Sequence, residues 1–431
     1  MSSFIGMSHF KRWVRGVVLL SACGAGGYWG ITEVAAWQEP TVTRATGLPV
    51  AAAKLDPVLE PIVLAALSDD PQQVAEATRA LRQGGQRTLD YVMTRTQSTK
   101  MEQWKTLVDA VAQQRDARFS GLFWHTDLAA AHEVAKREGK PILSLRLLGK
   151  LTDELSCANS RFFRTTLYPH AAVRSTLAKK YVLHWESVRA VPIITIDFGD
   201  GRSIKRTITG NSLHLVLDAR GRTVDVLPGL YGAGFFARVL QQSESVARQV
   251  GGMDDAQFSI EMAAYHRQQL IDQEARWTED WTQLKVESIP ALGAELDDAK
   301  WSQLAQHYRK EVAIDGMTTA AVRSKLAIEA ALLAMTKLRS EAAPLQLMNN
   351  LIPLIGQDSV KNEYKMHRQI HRWLADAGAT NRDQLVARIY SELFLSDLND
   401  PWYGLSKPDV YSAVENDGRH NAVSTTQNAR R

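Results

Sequence analysis

Apolar residues recur at helical spacing from Pro57 onward: Val58, Ile62, Leu64 and Leu67, then Val74, Ala77 and Leu81, then Trp104, Leu107, Val108 and Val111. Asp69-Asp70-Pro71 and Gly84-Gly85 punctuate the series, which predicts about three helices over 55–120, packed as hairpins. The period changes over 121–250. Asp127 can cap a helix that Gly139 stops, and Pro141-Ile-Leu-Ser-Leu-Arg-Leu then supplies a strand. A second helix is expected over 156–180, bent near Pro169, and Tyr181-Val-Leu-His-Trp-Glu-Ser-Val is a second strand. Gly199-Asp200-Gly201 between two alternating runs is a hairpin signal, because that turn needs positive φ. Leu213-His-Leu-Val-Leu-Asp and Thr223-Val-Asp-Val-Leu flank Ala219-Arg220-Gly221 as a second hairpin, and a helix over 232–248 closes the unit.

Beyond Gly251 the helical period returns, at 253–281, 301–312, 318–340, 343–354 and 381–395. This stretch reads as a separate all-α region over 251–416, before a polar tail at 417–431. The expected fold class is therefore α+β flanked by α: a sheet-and-helix domain between N-terminal and C-terminal all-α regions.

The chain opens differently. Lys11, Arg12 and Arg15 precede a run without charge up to Glu33, the basic and apolar regions of an export signal, so residues 1–36 read as a signal peptide or membrane anchor. Cleavage after Val34-Ala35-Ala36, lipidation at Cys23 in Leu20-Ser21-Ala22-Cys23, and an uncleaved anchor all stay open. Each implies an extracytoplasmic location, periplasmic or secreted, with N-terminal membrane attachment in two of the three. Residues 37–54, with Pro40 and Pro49, read as a linker.

Composition changes this picture little. With 45% hydrophobic and 23% charged residues the chain is globular in type, and a net charge of +4 gives no ground for a nucleic-acid partner. Cysteine usage matters more. Cys23 lies in the export segment, which leaves Cys157 alone in the folded body, where no intramolecular disulfide is possible.

The pieces FWHTDLAAAHEVAKREGKPILSL, CANSRFFRTTLYPHAAVRSTLAKKYVLHW and NSLHLVLDARGRTVDVLPGLYG, in the order helix, strand, helix, strand, hairpin, helix, resemble the thioredoxin-like superfamily, particularly its exported members. The resemblance covers 127–240, with 189–210 as a hairpin insertion. It implies that the strand after Lys140-Pro141 feeds an active-site loop and helix, where Cys157 falls. The family's Cys-x-x-Cys is here Cys157-Ala158-Asn159-Ser160, so a dithiol shuttle is excluded. Where the family places a cis-proline, six residues before Asp218, this chain has Ser212, which implies a rebuilt substrate loop.

Cys157 admits two readings. In one, a thiol at a helix start has its pKa lowered by the helix dipole, Ser160 donates a hydrogen bond to the sulfur, and Arg161 and Arg164 lie one and two turns on. Over 157–222 there are 11 Lys and Arg against 4 Asp and Glu, a setting that favours a thiolate with single-thiol redox activity toward protein thiols. In the other, Cys157 packs as a small hydrophobe in a non-catalytic binding or scaffold module whose partner is a protein. No cofactor or metal is expected. His184 and Glu186 share a strand face without a third ligand, His214 sits among apolar strand residues, and His125, His132 and His170 lack metal-site spacing. After His132-Glu133 the zinc-protease position holds Lys136 instead of histidine.

Overall fold

The structure is a computed structural model that describes residues 55–95, 100–207, 210–322, 342–378 and 380–402. The expected export segment and linker at 1–54, the tail at 417–431 and most of the helix expected over 318–340 lie outside the described residues.

Helices α1 (Leu59–Ala66), α2 (Pro71–Gln83), α3 (Gly85–Thr94), α4 (Met101–Ala112) and the single turn α5 (Ala117–Ser120) form the N-terminal part. Asp70 caps α2 by accepting from the Gln72 amide, with Pro71 in the first turn where its missing N–H costs nothing. Leu81, Leu89, Val92, Val108 and Val111 meet in a small core of their own.

Helix α6 (Leu128–Glu138) is capped by the Asp127 carboxylate, which accepts from the Ala129 and Ala130 amides, and Gly139 ends it with φ of 62°. Strand β1 (Ile142–Leu148) follows, every residue of it buried. Helix α7 (Ala158–Phe162) runs into a π turn, Phe163–Leu167, and then α8 (Ala171–Lys180) leads to β2 (Val182–Arg189). Among the described residues, strands β3 (Ile193–Asp197) and β4 (Ser203–Thr207) pair only with each other, as the hairpin expected within 189–210; its turn puts Gly199 and Gly201 at φ of 76° and 86°. Ile193, Ile194, Ile196 and Phe198 are exposed on it. Strands β5 (Ser212–Leu217) and β6 (Thr223–Pro228) and helix α9 (Ala233–Val250) complete the unit.

The sheet order is β2-β1-β5-β6, with β1 and β2 parallel and the other neighbours antiparallel. All of β1, β5 and β6 is buried. A sheet covered on both faces explains why these strands read as near-continuous apolar runs.

The C-terminal helices are α10 (Asp255–Gln283), α11 (Asp298–His307), α12 (Ala342–Lys361), α13 (Arg368–Ala377) and α14 (Arg382–Arg388). A π turn at Asn362–His367 joins α12 to α13. The helix expected to end at 354 therefore continues, with Pro353 inside it, through to Ala377. Nor are these helices a region apart: Leu145, Leu215, Val226, Phe236, Trp277, Ile370 and Ile389 belong to one continuous core. Among the described residues no helix is long and apolar enough to cross a membrane.

Candidate functional site

Cys157 stands where the helix-start reading put it, as the N-cap of α7, with its sulfur accepting from the Ser160 amide at 3.4 Å. Its surroundings differ from that reading. The residue is 0% exposed and packed in the main core. Burial pushes the thiol above its ordinary value, outweighing the amides of Ser160, Leu148 and Asn159 and the Arg164 charge, which act downward. The lowered pKa expected from the helix dipole is therefore reversed, because a five-residue helix offers little dipole while complete desolvation penalises the anion.

The expected supporting residues are also placed differently. The Ser160 hydroxyl donates to Ser156 Oγ at 2.9 Å and not to the sulfur. Arg161, half-buried, donates to Thr207 Oγ1 on the hairpin at 3.2 Å. Arg164 is fully buried in the π turn, donates to the Asp153 carbonyl at 3.0 Å and lies 3.9 Å from Asp116. Ser212 is a buried β5 residue whose carbonyl accepts from the Gly229 amide at 2.8 Å, and no cis peptide bond occurs among the described residues. Ser156, Thr207, Asp153 and Asp116 thus meet the polar side chains of α7 and the π turn, while the sulfur itself is buried.

His184 and His214 are interior histidines with partners. His184 Nδ1 lies 2.8 Å from Ser144 Oγ, and Glu186 pairs with the buried Arg146 of β1. His214 Nε2 lies 2.8 Å from the Tyr168 hydroxyl, and its ring meets Phe163 and Phe236 edge to face. Burial lowers both histidines to about 3.

The densest group of chemistry-bearing side chains lies elsewhere, where the C-terminal helices cover β6. Asp225 of β6 is buried, and its carboxylate accepts from four donors: the Val226 amide at 2.8 Å, His367 Nε2 at 2.9 Å, Ser243 Oγ at 3.0 Å and the Tyr265 hydroxyl at 3.3 Å. His367 comes from the π turn, as does Glu363, which lies 3.7 Å from His367 Nδ1 and accepts from Arg276 at 3.0 Å. His371, one turn on in α13, faces His266 of α10 with their Nδ1 atoms 2.9 Å apart. The His367 and His371 rings are 4.1 Å apart.

The charges in this cluster sort by partner. Burial acts against the charged form of Asp225, but the His367 charge and hydrogen bond, with His371 and His266, hold the carboxyl well below the usual range. Burial likewise opposes charge on His367, yet Asp225 and Glu363 raise it to about 9. At His266 burial outweighs the Asp225 charge, which acts upward, and takes the imidazole down to about 4. The cluster thus holds an ion pair, Asp225 with His367, beside two neutral imidazoles.

No metal was expected, and these residues were not among the candidates. The single local signal is the pair of histidines four apart, His367 and His371, which share a helix face. Asp225 and His266 stand 142 and 105 residues from their partners, so nothing local marks them.

No protein-family model matches the chain, and no curated protein matches it.

Proposed function

We propose that this is an exported thioredoxin-like protein acting as a non-catalytic protein-binding or scaffold module, one that keeps the fold without its thiol chemistry. The observation that carries the reading is Cys157. A reactive thiol needs access and thiolate character, and a fully buried sulfur with a raised pKa has neither.

Other features support the same reading. The element order that carries the resemblance is present as α6, β1, α7 with α8, β2, the β5–β6 hairpin and α9. Ser160, in the position of a resolving thiol, spends its hydroxyl on Ser156. The extracytoplasmic location rests on the basic and apolar N-terminal pattern and is tested by cell fractionation, where recovery of full-length protein in the cytosol would refute it.

The decisive measurement is alkylation of Cys157 by iodoacetamide, resolved from Cys23 by peptide mass spectrometry and followed against pH. Native Cys157 should react at least about 100-fold more slowly than in unfolded chain, with an apparent pKa above about 8.5. Fast native alkylation with a pKa several units lower would sink the proposal and restore single-thiol redox chemistry.

A further inference from the structure

We propose that Asp225, His266 and His371 bind one divalent transition-metal ion, and that His367 is the residue positioning Asp225 for it. One ligand atom from each of the three lies within 4.8 Å of the others, and all three residues are buried. They come from β6, α10 and α13, so tertiary packing alone brings them together.

The donor set selects the class of ion. Two imidazoles and one carboxylate suit zinc, iron(II) or cobalt(II), whereas calcium and magnesium take oxygen ligands. Tetrahedral zinc with nitrogen ligands at about 2.05 Å sets those nitrogens about 3.4 Å apart. The two Nδ1 atoms are 2.9 Å apart, so to admit the ion the rings must separate by a few tenths of an ångström, give up the proton they share, and turn both lone pairs toward the ion.

The carboxylate can accommodate it. Its roughly four lone-pair sites are all used by hydrogen bonds, of which the one from Tyr265 is longest at 3.3 Å. An ion taking that site leaves Asp225 held by His367, Ser243 and the Val226 amide. This is the outer-shell support that metal-ligating carboxylates have, and His367 is itself backed by Glu363 at 3.7 Å. Three protein ligands leave a position for water. Their burial makes the ion a staple between the sheet edge and the C-terminal helices.

Without a metal, the same contacts amount to a histidine–histidine hydrogen bond beside an ion pair, and the experiment separates the two cases. Full-length chain stripped with a chelator should bind one equivalent of zinc. Cobalt(II) in its place should give the intense visible bands of a four-coordinate site. Zinc at about 100-fold its dissociation constant should raise Tm by about 3 °C in a unit of this size.

D225N keeps side-chain size, and its one carbonyl oxygen can still accept from the Val226 amide and His367. It should lose the bound equivalent and the cobalt bands while retaining its circular dichroism, and H266A and H371A should lose them too. H367Q should bind one equivalent about 10- to 100-fold more weakly, a change in affinity that a purely structural role would not produce. His307→Ala, at a histidine beside Asp280, should bind as the parent does. The proposal is overturned if folded parent protein takes up no zinc, or if D225N, H266A and H371A all keep the full equivalent.

Discussion

His184 and His214 flank β1 from either side, opposite Ser144 and Leu145, and both are neutral in the fold. Their folded values of about 3 lie below the ordinary 6.5, so the unfolded chain takes up protons first as pH falls. The stability they contribute is present above about pH 6.5 and lost toward pH 3, about 2 kcal/mol for each between pH 8 and pH 5. Replacing His214 with Phe keeps a ring between Phe163 and Phe236 and should remove about 2 kcal/mol of that drop. The Tyr168 hydroxyl then loses its partner, costing about 1–3 kcal/mol at every pH. Urea unfolding at pH 8 and pH 5 checks this, and an equal drop in parent and variant would refute it. Cys157 shows how far residue chemistry is legible in sequence. Its place at a helix start follows from local pattern, but its raised pKa follows from complete burial in a core assembled from distant parts of the chain, which no local pattern shows.

At the scale of elements, caps and turns with their own side-chain logic were readable. Asp127 and Gly139 bound α6, and two glycines make the β3–β4 turn. Elements defined by a shift of backbone register were not. The π turn at Asn362–His367 has no composition of its own, and Pro353 with Gly356 suggests an end where the helix in fact continues. That turn matters, because a π turn inserts an extra residue and rotates the helix beyond it. Glu363 and His367 both lie in it, and both are buried. The histidine cluster was thus hidden twice, by a helical pattern that breaks off before it and by partners over 100 residues away.

For the whole molecule, the boundary expected at residue 250 dissolves. The Asn362 side-chain Nδ2 donates to the Leu230 carbonyl at 2.6 Å, and the Gly232 backbone amide donates to Ser359 Oγ at 2.8 Å. The Gly234 amide donates to the Glu311 carbonyl at 2.7 Å, and the Phe235 ring meets Tyr308 at 4.7 Å. A fragment of 121–250 leaves these groups without their partners and takes His367 and Tyr265 from Asp225, so it should show no cooperative thermal transition, whereas the full chain should. A sharp transition in the fragment would contradict the continuous core. The same continuity has a colloidal consequence. Strand β6, at one edge of the sheet, is buried throughout, and the His125 backbone bridges to His184 along the other edge, on β2. By contrast the β3–β4 hairpin exposes Ile193, Ile194 and Ile196 on a two-stranded sheet, and crowded or heated copies should first stick there. Ile196→Lys should slow heat-induced turbidity while leaving Tm nearly unchanged, and undiminished turbidity would place that first contact elsewhere.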